Sequence, residues 1–134
     1  MISFIREYRF DVARFDLIMP VPLSATRMRE RGYNQARLLG AEIAAAFVIP
    51  LAGNHLARVR HTQPQALLDE KQRWTNIQGA FRIRNSTAVK GRSILLVDDL
   101  LTTGATASEA ARALKDAGAG TVGVLTLAIT HERT

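Results

Sequence analysis

The chain contains no cysteine. Disulfides and thiolate-bound zinc are therefore excluded. It also lacks any apolar run near the roughly 18 residues that a membrane-spanning helix needs. Residues 1–16, MISFIREYRFDVARFD, carry too many charges for a secretory leader. No repeat, low-complexity tract or linker breaks the sequence. The histidines His55, His61 and His131 show no metal-ligand spacing. What is left is a soluble, cytoplasmic protein by expectation, without a membrane partner.

The 134 residues are 47% hydrophobic and 22% charged, ordinary values for a globular protein. One domain spanning 1–134 is expected, burying about two thirds of the surface its unfolded chain exposes. The net charge is +6, and the excess is almost all arginine. Arg27, Arg29 and Arg31 crowd together, with Arg37 close behind. Arginine suits bidentate contact with phosphate oxygens, so the balance fits nucleic acid or a small polyphosphate. A solvated charged loop accounts for the same residues.

Hydrophobic patterning predicts an α/β fold. Residues 16–23, DLIMPVPL, read as a strand whose regular ladder stops near Met19, because Pro20 and Pro22 are awkward in a sheet. Residues 24–32 read as a basic loop. Leu39, Ile43 and Phe47 recur every fourth residue, predicting a helix over 34–47. Residues 56–78 are polar and irregular, with a short strand in LARV and a helix in LLDEKQRWTNI. A further short strand is expected over 81–83. Residues 93–97 are aliphatic throughout and predict a strand buried on both faces, as in a parallel sheet. A helix over 105–117 presents Ala107, Ala110, Ala111, Leu114 and Ala117 as its apolar stripe. Gly118 ends it, and TVGVLTLAI, 121–129, is the next strand. Strand, helix and strand in that order make a parallel crossover. Trp74 and Tyr33 are expected to pack.

The stretch 94–106, ILLVDDLLTTGAT, concentrates the chemistry. Asp98 and Asp99 stand where the strand is expected to end, and ligands of open α/β sheets bind at the carboxyl ends of strands. The turn behind them leads into a helix whose first N–H groups can face an anion. Gly104 permits close backbone approach, and Thr102, Thr103 and Thr106 add hydroxyl donors. That forms a cup for one phosphate. Carboxylates beside it suit vicinal hydroxyls, or a Mg²⁺ that bridges to a second phosphate. A ribose 5-phosphate has both features. A single aspartate there is also explained as a helix cap, and threonines as turn residues; two adjacent aspartates are not both one cap. ILLVDDL alone looks like the first strand of a receiver domain, but only 35 residues follow Asp99, and TTGAT then has no purpose.

The run of hydrophobic residues, two acids, two variable residues and TTG-x-T resembles the phosphoribosyl-diphosphate (PRPP) motif of type I phosphoribosyltransferases. PVPLSATRMRERGYNQARLLG and RVRHTQPQALLDEKQRWTNIQGAF resemble segments of the competence-type ComF/GntX subgroup, so the likeness runs over about 16–129. The resemblance implies a Rossmann-like parallel β-sheet flanked by helices. It implies that Asp98 and Asp99 are catalytic, holding the ribose hydroxyls, and that Thr102, Thr103, Gly104, Ala105 and Thr106 bind the 5-phosphate. It places Ser24, Ala25, Thr26 and Arg27 in the pyrophosphate loop. Arg31, Gly32, Asn34 and Gln35 match the subgroup's RG-aromatic-NQ signature, with Arg31 expected to meet an anion. Arg58, His61, Thr62, Gln63 and Gln65 fall in a loop that closes over substrate. The implied activity is transfer of ribose 5-phosphate from PRPP to a nitrogenous acceptor with release of pyrophosphate, assisted by Mg²⁺ carried on PRPP rather than by a protein ligand. The alternative is a non-catalytic partner in competence that binds PRPP or single-stranded DNA, working with competence proteins. A homodimer is compatible with either. Two departures stand out: the cysteine-rich zinc ribbon of longer relatives is missing, and no segment reads as the hood with which the family selects its acceptor.

Overall fold

The computed structural model describes residues 11–23, 25–53, 55–59, 69–101 and 105–129, of which 25–27, 70, 73, 99–101 and 127–129 are described by their backbone. A 3₁₀ turn at Val12–Arg14 precedes β1 (Leu17–Pro20), α1 (Ala25–Arg31), α2 (Gln35–Phe47), β2 (Leu56–Arg58), α3 (Glu70–Ile77), β3 (Phe81–Ile83), α4 (Ser86–Val89), β4 (Ser93–Leu101), α5 (Ala105–Asp116) and β5 (Thr121–Ile129). β1, β4 and β5 form a parallel sheet in the order β1-β4-β5. Residues 50–52 extend it beyond β1: Ile18 N–H donates to Pro50 O (2.9 Å) and Ala52 N–H to Ile18 O (2.8 Å). β2 and β3 pair antiparallel as a separate ribbon.

β4 lies at the centre because its side chains suit two apolar faces. Ile94, Leu95, Leu96 and Val97 are fully buried. Strand alternation sends them to opposite sides. Ile94 and Leu96 join Ala105, Ala110 and Leu114 of α5, with Ile77, Ala80 and Phe81. Leu95 and Val97 join Leu39 and Ile43 of α2, with Phe15 and Leu125. Each fully buried side chain of this kind contributes about 1.5–3 kcal/mol relative to exposure. The α/β fold with a helix-flanked parallel sheet is thus present, and β3, β5 and the stripe of α5 fall where the sequence predicts them.

Two expectations need correction. Residues 25–31 are not loop but helix α1. The sequence ATRMRER holds no Gly, Pro or β-branched run, and Ala, Arg, Met and Glu are strong helix formers. Gly32, at φ +77°, ends the helix, with its N–H donating to Met28 O (2.8 Å). The second concerns β4, which runs through both acids to Leu101 instead of stopping at Val97. Its neighbour β5 is equally long and keeps pairing: Asp98 faces Thr126, Leu100 faces Ala128, Leu101 faces Ile129. β1 leaves earlier. Its last ladder contact is Val21 N–H to Val97 O (2.9 Å), and Pro22 has no N–H with which to continue.

Candidate functional site

The early departure of β1 makes the site. From position 98 onward β4 is paired on the β5 side, while β1 turns away into α1. Asp98 is half-buried at this step and is engaged by a neighbouring group. Its position is in phase with Ile94 and Leu96, on the α5 side. Position 99 is in phase with Leu95 and Val97, on the α2 side. The acids therefore mark the step at the edge of β1, not the end of their own strand.

The chain returns as α5, opening at Ala105, which is buried, and Thr106, which is half-buried; both are also engaged. Thr102, Thr103 and Gly104 lie outside the described residues. On the other side of the step, Ser24 is outside them too. Ala25, Thr26 and Arg27 form the first turn of α1, and Arg31, exposed and engaged, is its last residue. The structure thus brings 98, 105 and 106 to one end of β4, and 25–27 to the end of β1 beside it.

Asn34 caps α2: its Oδ1 accepts from Ala36 N–H (3.0 Å), while its Nδ2 donates to Val21 O (3.2 Å). Gln35 is the first helical residue, half-buried. The Arg37 guanidinium packs against Gly53, where a Cβ would have to displace it. Tyr33 and Trp74, expected to pack, are instead exposed, at 49% and 39%.

Arg58 is not in a loop. It belongs to β2, directly opposite Phe81, and its guanidinium lies over that ring, 5.6 Å from the centroid. Antiparallel pairing holds it there, and stacking of a cation on a ring is itself favourable. His61, Thr62, Gln63 and Gln65 lie outside the described residues.

One residue the sequence reading passed over is Glu109, on the buried face of α5. Its Oε1 accepts from Gly79 N–H (2.9 Å) and from Arg112 Nη2, and its Oε2 from Arg112 Nε (3.0 Å). A second arm of Arg112 donates to Asp116 (2.7 Å). Hydrogen bonding and charge from Glu109, then from Asp116, hold the Arg112 guanidinium above its ordinary pKa. The only hint in sequence is a carboxylate inside an alanine-rich stripe, three residues before an arginine. The pair ties the α3–β3 turn to the helix that starts at the site.

Among the described residues no three of His, Cys, Asp and Glu gather as a metal-ligand set, and no helix is long and apolar enough to cross a membrane.

A family model described as a phosphoribosyl transferase domain matches residues 34–134. The segment 24–31 lies outside that match. Competence protein F of Haemophilus influenzae is 39% identical over 114 residues, 84% of this chain and 50% of that protein. The chain spans about half the length of the curated relatives it matches. Among solved structures, the allosteric regulatory enzyme of purine biosynthesis superposes with a TM-score of 0.59 at 21% identity, over 92% of this chain and 23% of that one. The purine phosphoribosyltransferase from Pyrococcus horikoshii gives 0.53 at 17% identity, over 95% and 67%. At those identities the likeness to both is one of fold.

Proposed function

The chain belongs to the type I phosphoribosyltransferase family, in its competence-type ComF subgroup, and on that premise we propose that the step between β1 and β4 binds PRPP and moves its ribose 5-phosphate to a nitrogenous acceptor. The observation that carries this reading is the placement of Asp98, on a strand that outruns its neighbour, next to the first turn of α5. The carboxylates take the ribose hydroxyls. The turn 102–106 takes the 5-phosphate, and the β1–α1 connection takes the pyrophosphate.

In the reaction, the bond from C1 of the ribose to the pyrophosphate oxygen breaks, and its electron pair leaves with pyrophosphate. The acceptor nitrogen forms the new bond to C1 and gives up a proton. The sugar passes through an oxocarbenium-like state, as in other glycosyl transfers. The residues of this chain act mainly by alignment, which is worth up to roughly 7–11 kcal/mol in well-oriented systems. Positive charge and N–H donors belong where the leaving anion grows, and Arg27 and Arg31 of α1 are the nearest candidates in sequence. A Mg²⁺ carried on PRPP would suit this site: the half-buried Asp98 carboxylate places negative charge beside it, and the ion would keep water and substrate oxygens as its ligands. When bound, it would neutralise charge on the pyrophosphate.

The test incubates the protein with PRPP, Mg²⁺ and a panel of bases and amines and measures pyrophosphate. Steady release is expected, and it should vanish in Asp98→Asn/Asp99→Asn. Binding of PRPP without release overturns the transferase reading.

A second reading has its own observation. Met28, Arg29, Arg31 and Tyr33 stand exposed together on and just after α1. Arginines beside an aromatic ring suit single-stranded nucleic acid, which fits a role in DNA uptake. Salt-sensitive binding of single strands, with no pyrophosphate release, is the outcome that favours it.

A further inference from the structure

Asn34 does more than a helix cap requires. Asp, Ser and Thr serve that purpose about as well as Asn, since each offers an oxygen to the first helical N–H groups. Among these, only Asn carries its donor on a second atom, so that one side chain reaches two separate partners. Here the oxygen is committed to Ala36 N–H, which leaves the amide NH₂ to face Val21 O at 3.2 Å. The two partners fix the amide orientation between them.

Val21 is a particular residue to hold. It is buried, it follows β1 directly, and its N–H already donates to Val97 O at 2.9 Å. Val97 immediately precedes Asp98. The hydrogen bonds therefore run from the start of α2, through the Val21 peptide, to the strand that carries the acids. Beyond Val21 the chain has Pro22 and then the connection into α1. Pro22 supplies no N–H, so it adds no ladder bond of its own. The Val21 peptide is the last sheet-anchored unit before that connection, and the side chain of Asn34 holds its carbonyl.

Resting on the PRPP reading above, we propose that Asn34 is a positioning residue: it fixes the exit of β1 so that the β1–α1 connection meets the pyrophosphate group in register with Asp98. It does not touch substrate. Its effect is specific to the pyrophosphate end, because Asn34 bonds the exit of β1, whereas α5, which opens at Ala105, is tied elsewhere, through Glu109 to Gly79 N–H.

The decisive variants separate cap from tether. Asn34→Asp keeps the cap oxygen and loses the donor, leaving a carboxylate against Val21 O. Asn34→Ser keeps a cap oxygen and is too short to bridge. Each is compared with the unaltered chain by calorimetric binding of PRPP, inorganic pyrophosphate and ribose 5-phosphate, all with Mg²⁺. Affinity for PRPP and pyrophosphate should fall about tenfold in both variants, as expected for losing one hydrogen bond that orders a loop. Affinity for ribose 5-phosphate should stay within about twofold. Equal losses for all three ligands, no loss, or failure of both variants to fold would assign Asn34 to the fold alone and overturn the proposal. If the unaltered chain binds neither PRPP nor pyrophosphate, the reading of the site itself falls, and the two failures are told apart by that control.

Discussion

The parallel sheet and the β2–β3 ribbon both pack against α5, yet different forces hold them there. β4 contributes four consecutive aliphatic residues with no exposed surface. Their attraction is non-directional and spread over many contacts. The ribbon has strands of three residues each. It reaches the core through Leu56 and Phe81, and the α3–β3 turn that leads into it is tied to α5 by one carboxylate, Glu109, through Gly79 N–H. A buried carboxylate is tolerable only when hydrogen-bonded, and bonds to an ionised group are stronger than neutral ones. The sheet is therefore a platform that yields gradually, whereas the ribbon is latched at a point. That division suits the proposed function. The acids must stay fixed, and β2 ends at Arg58, the first residue of the segment 58–65 for which the family resemblance implies closure over substrate.

The largest effect should come from the platform. Leu96→Ala removes a fully buried side chain between α5 and the sheet, and should lower unfolding stability by about 2–5 kcal/mol. Urea denaturation followed by circular dichroism measures it. A loss below about 1 kcal/mol would mean that the core does not carry the sheet, and the contrast with the ribbon would dissolve.

Next comes the latch. Glu109→Ala removes the acceptor of Gly79 N–H and leaves Arg112 with Asp116 alone, and should lower stability by about 1–3 kcal/mol. Its more telling consequence is local. Amide exchange should accelerate across 56–58 and 81–83 while 94–97 keep their protection. Glu109→Gln retains an acceptor for Gly79 and should recover part of that protection. Uniform acceleration through β4 would show that the ribbon and the sheet open as one unit.

The contrast also explains what could be read in advance. The aliphatic run of β4, the bounds of β5 and the stripe of α5 were legible because burial imposes a period on the sequence. α1 was not, since three closely spaced arginines look like a solvated loop when charge is weighed above helix propensity. The extension of β4 through Asp98 to Leu101 was not legible either. It depends on the length of β5 and on Pro22 ending β1, and both are matters of pairing. At the candidate site, the expected acids are found on β4 and the expected helix opens at Ala105. The second bond of Asn34 and the latch of Glu109 were not legible, because each joins residues far apart in the chain, 13 and 30 positions respectively. Arg58 falls in the short strand expected in LARV, but its pairing with Phe81, 23 positions on, was not legible for the same reason.

The smallest effect tests how local the ribbon's order is. α3 opens with a capping box: Asp69 Oδ1 accepts from Gln72 N–H (2.8 Å), and Gln72 Oε1 accepts from Asp69 N–H (3.1 Å). Both bonds are exposed, so Asp69→Ala should lower stability by only about 1 kcal/mol. Asp69 is the N-cap of α3, so the box fixes where that helix begins. If the latch at Gly79 alone orders the ribbon, the variant should leave exchange at 81–83 unchanged while α3 frays at its start. If β3 loosens as well, the ribbon depends on both ends of α3, and its order is coupled to α5 through the whole helix rather than through one carboxylate.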